Sequence, residues 1–179
     1  LSDLPARTGL GSSSSATVGL LHALHAYRGE MISQERLASE AIHVEQDLIQ
    51  ERVGSQDQYA CAMGGFLHLE FFEDGTVSAQ PVVLSRERLR SLEERCLLLY
   101  TGIQRNANEI LIEQIKRTQS GENEKGLERL KALVHQGIET LTSNHSLSHF
   151  GELLHQVWII KREFSPNISS SFIDDLYER

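Results

Sequence analysis

After Gly102 the hydrophobic period of this chain changes, and the change limits the folds open to it. The segments "NANEILIEQIKRT", "GLERLKALVHQGIETLT" and "LSHFGELLHQVWIIKREF" carry apolar residues three and four apart, the spacing of helices that bury one stripe. Gly121 and "SNHS" separate them, "SPNISSS" reads as a loop, and "FIDDLYER" begins another helix. Upstream the pattern is mixed. "FLHLEFF" and "VSAQPVVL" flank "EDGT", an Asp-Gly hairpin signal between two strand-like runs. "CLLLYTG" reads as a buried strand, because its apolar residues are continuous and end in Gly102. A mixed first part followed by a helical second part predicts an α+β protein.

The chain has 179 residues, 40% of them hydrophobic, which is enough for a sizeable core. No run of 18 apolar residues occurs, so no transmembrane helix is expected, and the start "LSDLPARTGLG" lacks signal-peptide character. A formal charge of −8 argues against non-specific nucleic-acid binding, which needs basic surface. It leaves a nucleotide ligand open, since one site needs only a few local donors and a metal. Cys61 and Cys96 have no CxxC spacing and read as reduced, partly buried thiols of a cytoplasmic protein.

"TGLGSSSSATVGLLHALHAY" places four serines between two glycines and an apolar helical run. A helix over these residues to about Arg28, stopped by Gly29, makes the serines a helix start rather than a linker. The first N–H groups of a helix lack internal partners and carry partial positive charge. Gly9 and Gly11 allow close backbone approach, and Ser12 to Ser15 add hydroxyls, so an anion such as a nucleotide phosphate fits there. Ordinary N-capping is the alternative. No lysine stands in the Walker A position.

A second helix begins after Ser33, with Leu37, Ala41, Val44 and Leu48 on one face. It carries Glu45, and Asp57 follows twelve residues later, just past the turn "VGSQDQ". One carboxylate can hold Mg²⁺, and another can take a proton from an attacking hydroxyl. Two solvated surface charges would give the same pattern.

Together, "PARTGLGSSSSA" and "E…VGSQDQ" resemble the GHMP kinase superfamily, whose signature is a proline, a short gap and GLGSSA opening a helix. Here these are Pro5, Gly9, Leu10, Gly11, Ser12 and Ser13, with Ser14 and Ser15 standing before the small Ala16. "SDLPARTGLGSSSS", "VGSQDQYACAMGGF", "LLLYTG" and "LLHQVWIIKREFSPNIS" extend the likeness to the D-glycero-D-manno-heptose 7-phosphate kinases. The resemblance implies a two-layer GHMP-kinase-like α+β fold, with a mixed N-terminal part and a helix-rich C-terminal part. It also implies ATP-dependent phosphorylation of the anomeric hydroxyl of a heptose 7-phosphate, with Mg²⁺ as cofactor and a sugar phosphate as partner. Gly9, Leu10, Gly11 and Ser12 to Ser15 would cradle the ATP phosphates; Ser12, Ser13 and Glu45 would bind Mg²⁺; Asp57 would accept the sugar proton.

The expected division is 1–84, part of the N-terminal kinase domain, and 85–179, part of a truncated C-terminal one. The ends read as cut from a longer polypeptide, because the superfamily's first and last motifs are not visible. A galactose- or fucose-type kinase and a non-catalytic nucleotide- or sugar-binding fragment are the competing readings. No membrane or nucleic-acid partner is expected, and a homodimer is allowed. Elsewhere, "ERLRSLEER" reads as a solvated helix face, and Trp158 with Leu154, Ile159 and Ile160 reads as core. Lys161 and Arg162 could meet a sugar phosphate.

Overall fold

The structure, a computed structural model, describes residues 11–103 and 107–178. The chain divides into two compact units, Leu1–Pro81 with Gly102–Asn108, and Val82–Thr101 with Glu109–Arg179. It is mostly helical with one small sheet, an α+β chain as the hydrophobic pattern predicts.

The first unit contains α1 (Ser12–Tyr27), α2 (Gln34–Ile42), a π-helical turn (His43–Leu48), α3 (Gln56–Met63) and a hairpin of β1 (Leu67–Phe71) and β2 (Val77–Pro81). Helix α1 ends where Gly29 turns left-handed, at φ 71°, a conformation that costs glycine little. Helix α2 starts under Ser33, whose hydroxyl accepts from the Arg36 N–H at 3.2 Å. Val18, Leu37 and Ala41 form the core, with Leu21, Ile32 and Ala62 packed against it. Ala38 and Ala41 are fully buried, and such small side chains let α2 lie close to its neighbours. Tyr59 is buried on α3 and meets Phe71 of β1 edge-on, with ring centroids 6.3 Å apart. The hairpin is antiparallel, with Leu67 opposite Pro81 and Phe71 opposite Val77. Its turn is the Asp-Gly turn expected: Gly75 has φ 83°, and Asp74 accepts from the Thr76 hydroxyl at 2.6 Å and N–H at 2.9 Å. Those two bonds hold the Asp74 carboxyl below its ordinary range.

The second unit holds α4 (Arg86–Glu93), most of α5 (Ala107–Gln119), α6 (Glu124–Thr142), α7 (Leu147–Phe164) and α8 (Ser171–Tyr177). Leu133, Leu153, Ile160 and Phe164 make its core, supported by Leu130, Val157 and Ile168. Helices α6 and α7 approach closely at Gly126, where a Cβ would lie 2.4 Å from the buried Phe164 ring. Two arginines satisfy carbonyls that helix ends leave unpaired. Arg88 donates to the carbonyls of Thr140 (2.7 Å), Leu141 (3.2 Å) and His145 (2.7 Å), at and just past the end of α6. Arg117 does the same for Glu163 (3.2 Å) and Phe164 (3.0 Å), closing α7.

Five expectations need correction. "CLLLYTG" is not a strand: Leu97 is 87% and Leu98 82% exposed, and the only sheet among the described residues is the β1–β2 hairpin. A strand needs a ladder partner, and Leu97 to Tyr100 lie in no sheet among the described residues. "ERLRSLEER" is not merely a solvated face, because Arg88 reaches across to cap α6. Around Trp158 only Ile160 is buried; Leu154 and Ile159 are exposed, so the cluster packs on one side. Cys61 and Cys96 are free but exposed rather than partly buried, and Leu48 turns outward because the α2 spiral widens before it.

Candidate active site

Gly9 and Leu10 lie outside the described residues, so the described phosphate-loop candidate begins at Gly11. Gly11 is the N-cap of α1 at φ 66° and ψ 22°, and no side chain caps the helix. Its carbonyl accepts from the Ser15 N–H at 2.9 Å, so the N–H groups of Ser12, Ser13 and Ser14 have no partner inside the helix. The first turn carries no acidic residue to neutralise its positive partial charge. Ser13 and Ser15 are exposed, Ser12 is half-buried and Ser14 is buried.

Glu45 faces this turn because α2 does not continue as an α-helix. From His43 the chain makes a π-helical turn, in which the Ile49 N–H bonds back five residues to the Val44 carbonyl at 2.9 Å. Such wide turns re-aim side chains and are frequent at functional sites. Glu45 is 1% exposed. The Thr17 hydroxyl donates to its Oε1 at 2.8 Å, the Ser14 hydroxyl to its Oε2 at 3.2 Å, and the Gln58 amide N–H to the same Oε2. Gln58 is itself fully buried, and its own Oε1 has no hydrogen-bond partner among the described residues.

Asp57 lies in the first turn of α3, exposed, where the helix dipole favours an anion. The loop before it is braced by Gln46, whose amide donates to the Val53 carbonyl at 2.9 Å and the Ser55 hydroxyl at 3.1 Å. A Cβ at Gly11 would stand 3.7 Å from Asp57 Oδ2, so this carboxylate borders the open start of α1. One small region therefore holds helix N–H groups with no partner inside the helix, a buried carboxylate and an exposed one.

Of the residues singled out in the sequence, the structure gathers Gly11, Ser14, Glu45 and Asp57 around the start of α1. Ser14 is the serine bonded to Glu45. Thr17 and Gln58 were not singled out, although Thr17 is one turn past Ser14 and Gln58 adjoins Asp57.

Glu45, Ser14 and Thr17 present hard oxygen ligands of the kind Mg²⁺ prefers. The described contacts of Glu45 are hydroxyl and amide donors, with no ammonium or guanidinium group among them. A buried carboxylate so placed is suited to a cation. Among the described residues no group of three or more His, Cys, Asp or Glu could hold a metal ion. A cation here would take its remaining ligands from water and phosphate, as Mg²⁺ commonly does. The donor set fits that ion and the helix start fits its phosphates.

Residues 1–65 match the family model of the GHMP kinases N terminal domain. This segment is similar to a GHMP kinase N-terminal domain. Every site residue described above lies within it. Over 179 residues the chain is 28% identical to D-glycero-alpha-D-manno-heptose 7-phosphate kinase of Campylobacter jejuni, covering 99% of this chain and 52% of that protein. It is 27% identical over 180 residues to the bifunctional fucokinase/GDP-fucose pyrophosphorylase of Arabidopsis thaliana, covering 98% of this chain and 17% of that protein. A crystal structure of a D-glycero-D-manno-heptose 1-phosphate kinase from Bacteriodes thetaiotaomicron shares the fold, with a TM-score of 0.72 and 23% identity. That match covers 90% of this chain and 46% of the other. The chain thus spans about half the length of the Campylobacter jejuni relative. No described helix is long and apolar enough to cross a membrane.

Proposed function

We propose that this chain is the nucleotide-binding part of a Mg²⁺- and ATP-dependent sugar kinase acting in the cytoplasm. The observation that carries the reading is the convergence of Ser14 and Thr17 on the buried Glu45 beside an uncapped helix start. The N–H groups of Ser12, Ser13 and Ser14, with Gly9, Leu10 and Ser15 beside them, cradle the ATP phosphates. Glu45 and a hydroxyl of the serine run, with Ser12 and Ser13 nearest the loop, hold Mg²⁺, which when bound neutralises charge on the phosphate oxygens. Asp57 orients the acceptor hydroxyl and takes its proton as that oxygen bonds to the γ-phosphorus and ADP leaves.

The favoured acceptor is D-glycero-D-manno-heptose 7-phosphate, giving the 1,7-bisphosphate for bacterial sugar-nucleotide and cell-surface polysaccharide synthesis. The likeness to a heptose 7-phosphate kinase along nearly the whole chain supports it. The second reading is a fucose-type kinase, favoured by the likeness to the plant fucokinase. Phosphorus NMR of the chain with Mg-ATP and each sugar, beside Asp57→Asn, tests both. A new anomeric phosphate signal from the heptose, absent in the variant, is the expected result. A signal from fucose alone transfers the assignment. Silence with both sugars, together with no ATP binding by calorimetry, overturns the reading.

A further inference from the structure

The two donors on Glu45 that the sequence pattern did not single out have geometry of their own. Thr17 and Gln58 come from different helices, 28 and 13 positions from Glu45 along the chain, and they grip opposite oxygens of one carboxylate. Neither bond is a chance surface contact, since Glu45 is 1% and Gln58 0% exposed. The Gln58 amide is the more telling group. Its N–H is spent on Glu45, yet its carbonyl is buried without a hydrogen-bond donor among the described residues, an unfavourable state. A buried acceptor left so among the described residues is open to a donor such as water.

We infer that Thr17 and Gln58 position Glu45 for a hydrated divalent cation, and that the Gln58 carbonyl accepts a hydrogen bond from a water on that cation. The inference rests on the metal site proposed above and extends it to the residues behind the ligand. Water on a bound cation is a strong donor, and Gln58 Oε1 is an acceptor in want of one. Thr17 adds a second property. Its hydroxyl also lies 3.2 Å from the Ser13 carbonyl, so its single proton has two acceptors. With a cation held by Glu45, the Thr17 hydroxyl could donate to the Ser13 carbonyl instead, so it would keep an acceptor. In this arrangement the carboxylate is fixed before the metal arrives, and no polar group is stranded afterwards.

The test uses the whole chain, Mn²⁺ alone as a spin probe, and four proteins: wild type, Thr17→Val, Thr17→Ser and Gln58→Met. Free Mn²⁺ is counted by electron paramagnetic resonance, and the metal-free melting midpoint is recorded beside it. Thr17→Val and Gln58→Met should weaken Mn²⁺ binding by about 10–100-fold, the usual effect of removing a group behind a metal ligand. Thr17→Ser, which keeps the hydroxyl, should bind as wild type does. Wild-type affinity in folded Thr17→Val and Gln58→Met overturns this inference and leaves the metal site standing. Loss of affinity that appears only as a variant unfolds, at temperatures where folded variant binds normally, reduces both residues to a structural role and overturns it too. Failure of the wild type itself to bind Mn²⁺ overturns the metal-site reading, and this inference with it.

Discussion

The Ser14 hydroxyl donates to Glu45 Oε2 at 3.2 Å across 31 positions of sequence, inside a buried site. That bond joins the serine run to the π-helical turn and makes the start of α1 part of the packed unit. Ser14→Ala removes one of the three donors to a buried carboxylate among the described residues. It should lower stability by about 1–3 kcal/mol, read as a fall in the urea midpoint with unchanged slope. Ser13→Ala, at an exposed neighbour, should leave the midpoint almost unmoved.

His25 bridges the end of α1 to α2. Its Nε2 lies 2.6 Å from Glu40, which also pairs with Arg36, and its Nδ1 lies 2.9 Å from Glu30, which also pairs with Arg28. The hydrogen bond to Glu40, then that to Glu30, raises the pKa of His25. The His25 bond, followed by that from Arg36, lowers the pKa of Glu40. A raised histidine contributes stability in full below its ordinary value of about 6.5 and loses it as pH climbs through the raised value. A lowered carboxylate contributes above its ordinary value of about 4.3 and loses it as pH falls through the lowered one. The melting temperatures of wild type and His25→Gln should therefore differ most in mildly acidic solution and converge as pH rises past the His25 pKa.

Two glycines in helices should answer alanine with opposite signs. At Gly19 in α1 a Cβ meets nothing within 4 Å, so Gly19→Ala should gain about 0.5–1 kcal/mol from helix propensity. At Gly126 in α6 a Cβ would sit 2.4 Å from the Phe164 ring, which is 3% exposed and has nowhere to swing. Gly126→Ala should lose stability by about 1–3 kcal/mol through overpacking, despite the same propensity gain. Thermal melts of the two variants side by side decide it.

Arg88 closes three carbonyls at and beyond the end of α6. Arg88→Lys keeps the charge but cannot span them with a planar fork. It should cost about 1.5–3 kcal/mol, the scale of charge-assisted bonds, and hydrogen exchange should speed up in the last turn of α6 first. Equal protection in the variant would refute the capping role.

Much of the site was legible because its signals are local. The glycine before the serine run, the apolar run after it, a carboxylate on the second helix and another just past a turn twelve residues on are all read from short stretches. The hairpin was equally legible, since Asp74 and Gly75 specify their turn almost alone. Thr17 and Gln58 were not, because a hydroxyl or amide becomes a carboxylate's partner only when two helices pack. Arg88 was misread for the same reason: alternating charge along a short helix looks solvated until a second helix ends beside it.

The sequence by itself determined several elements: an anion-ready helix start, a hairpin at Asp-Gly, and a run of amphipathic helices. Each depends on a residue's own backbone preferences and its neighbours within a turn. Only the tertiary structure decided that Glu45 is buried and aimed at Ser14, and that Asp57 borders Gly11. It also decided that Leu97 to Tyr100, strand-like in composition, pairs with no strand among the described residues. Burial, ladder pairing and convergence of side chains depend on distant segments, and local preference carries no information about where those segments come to rest.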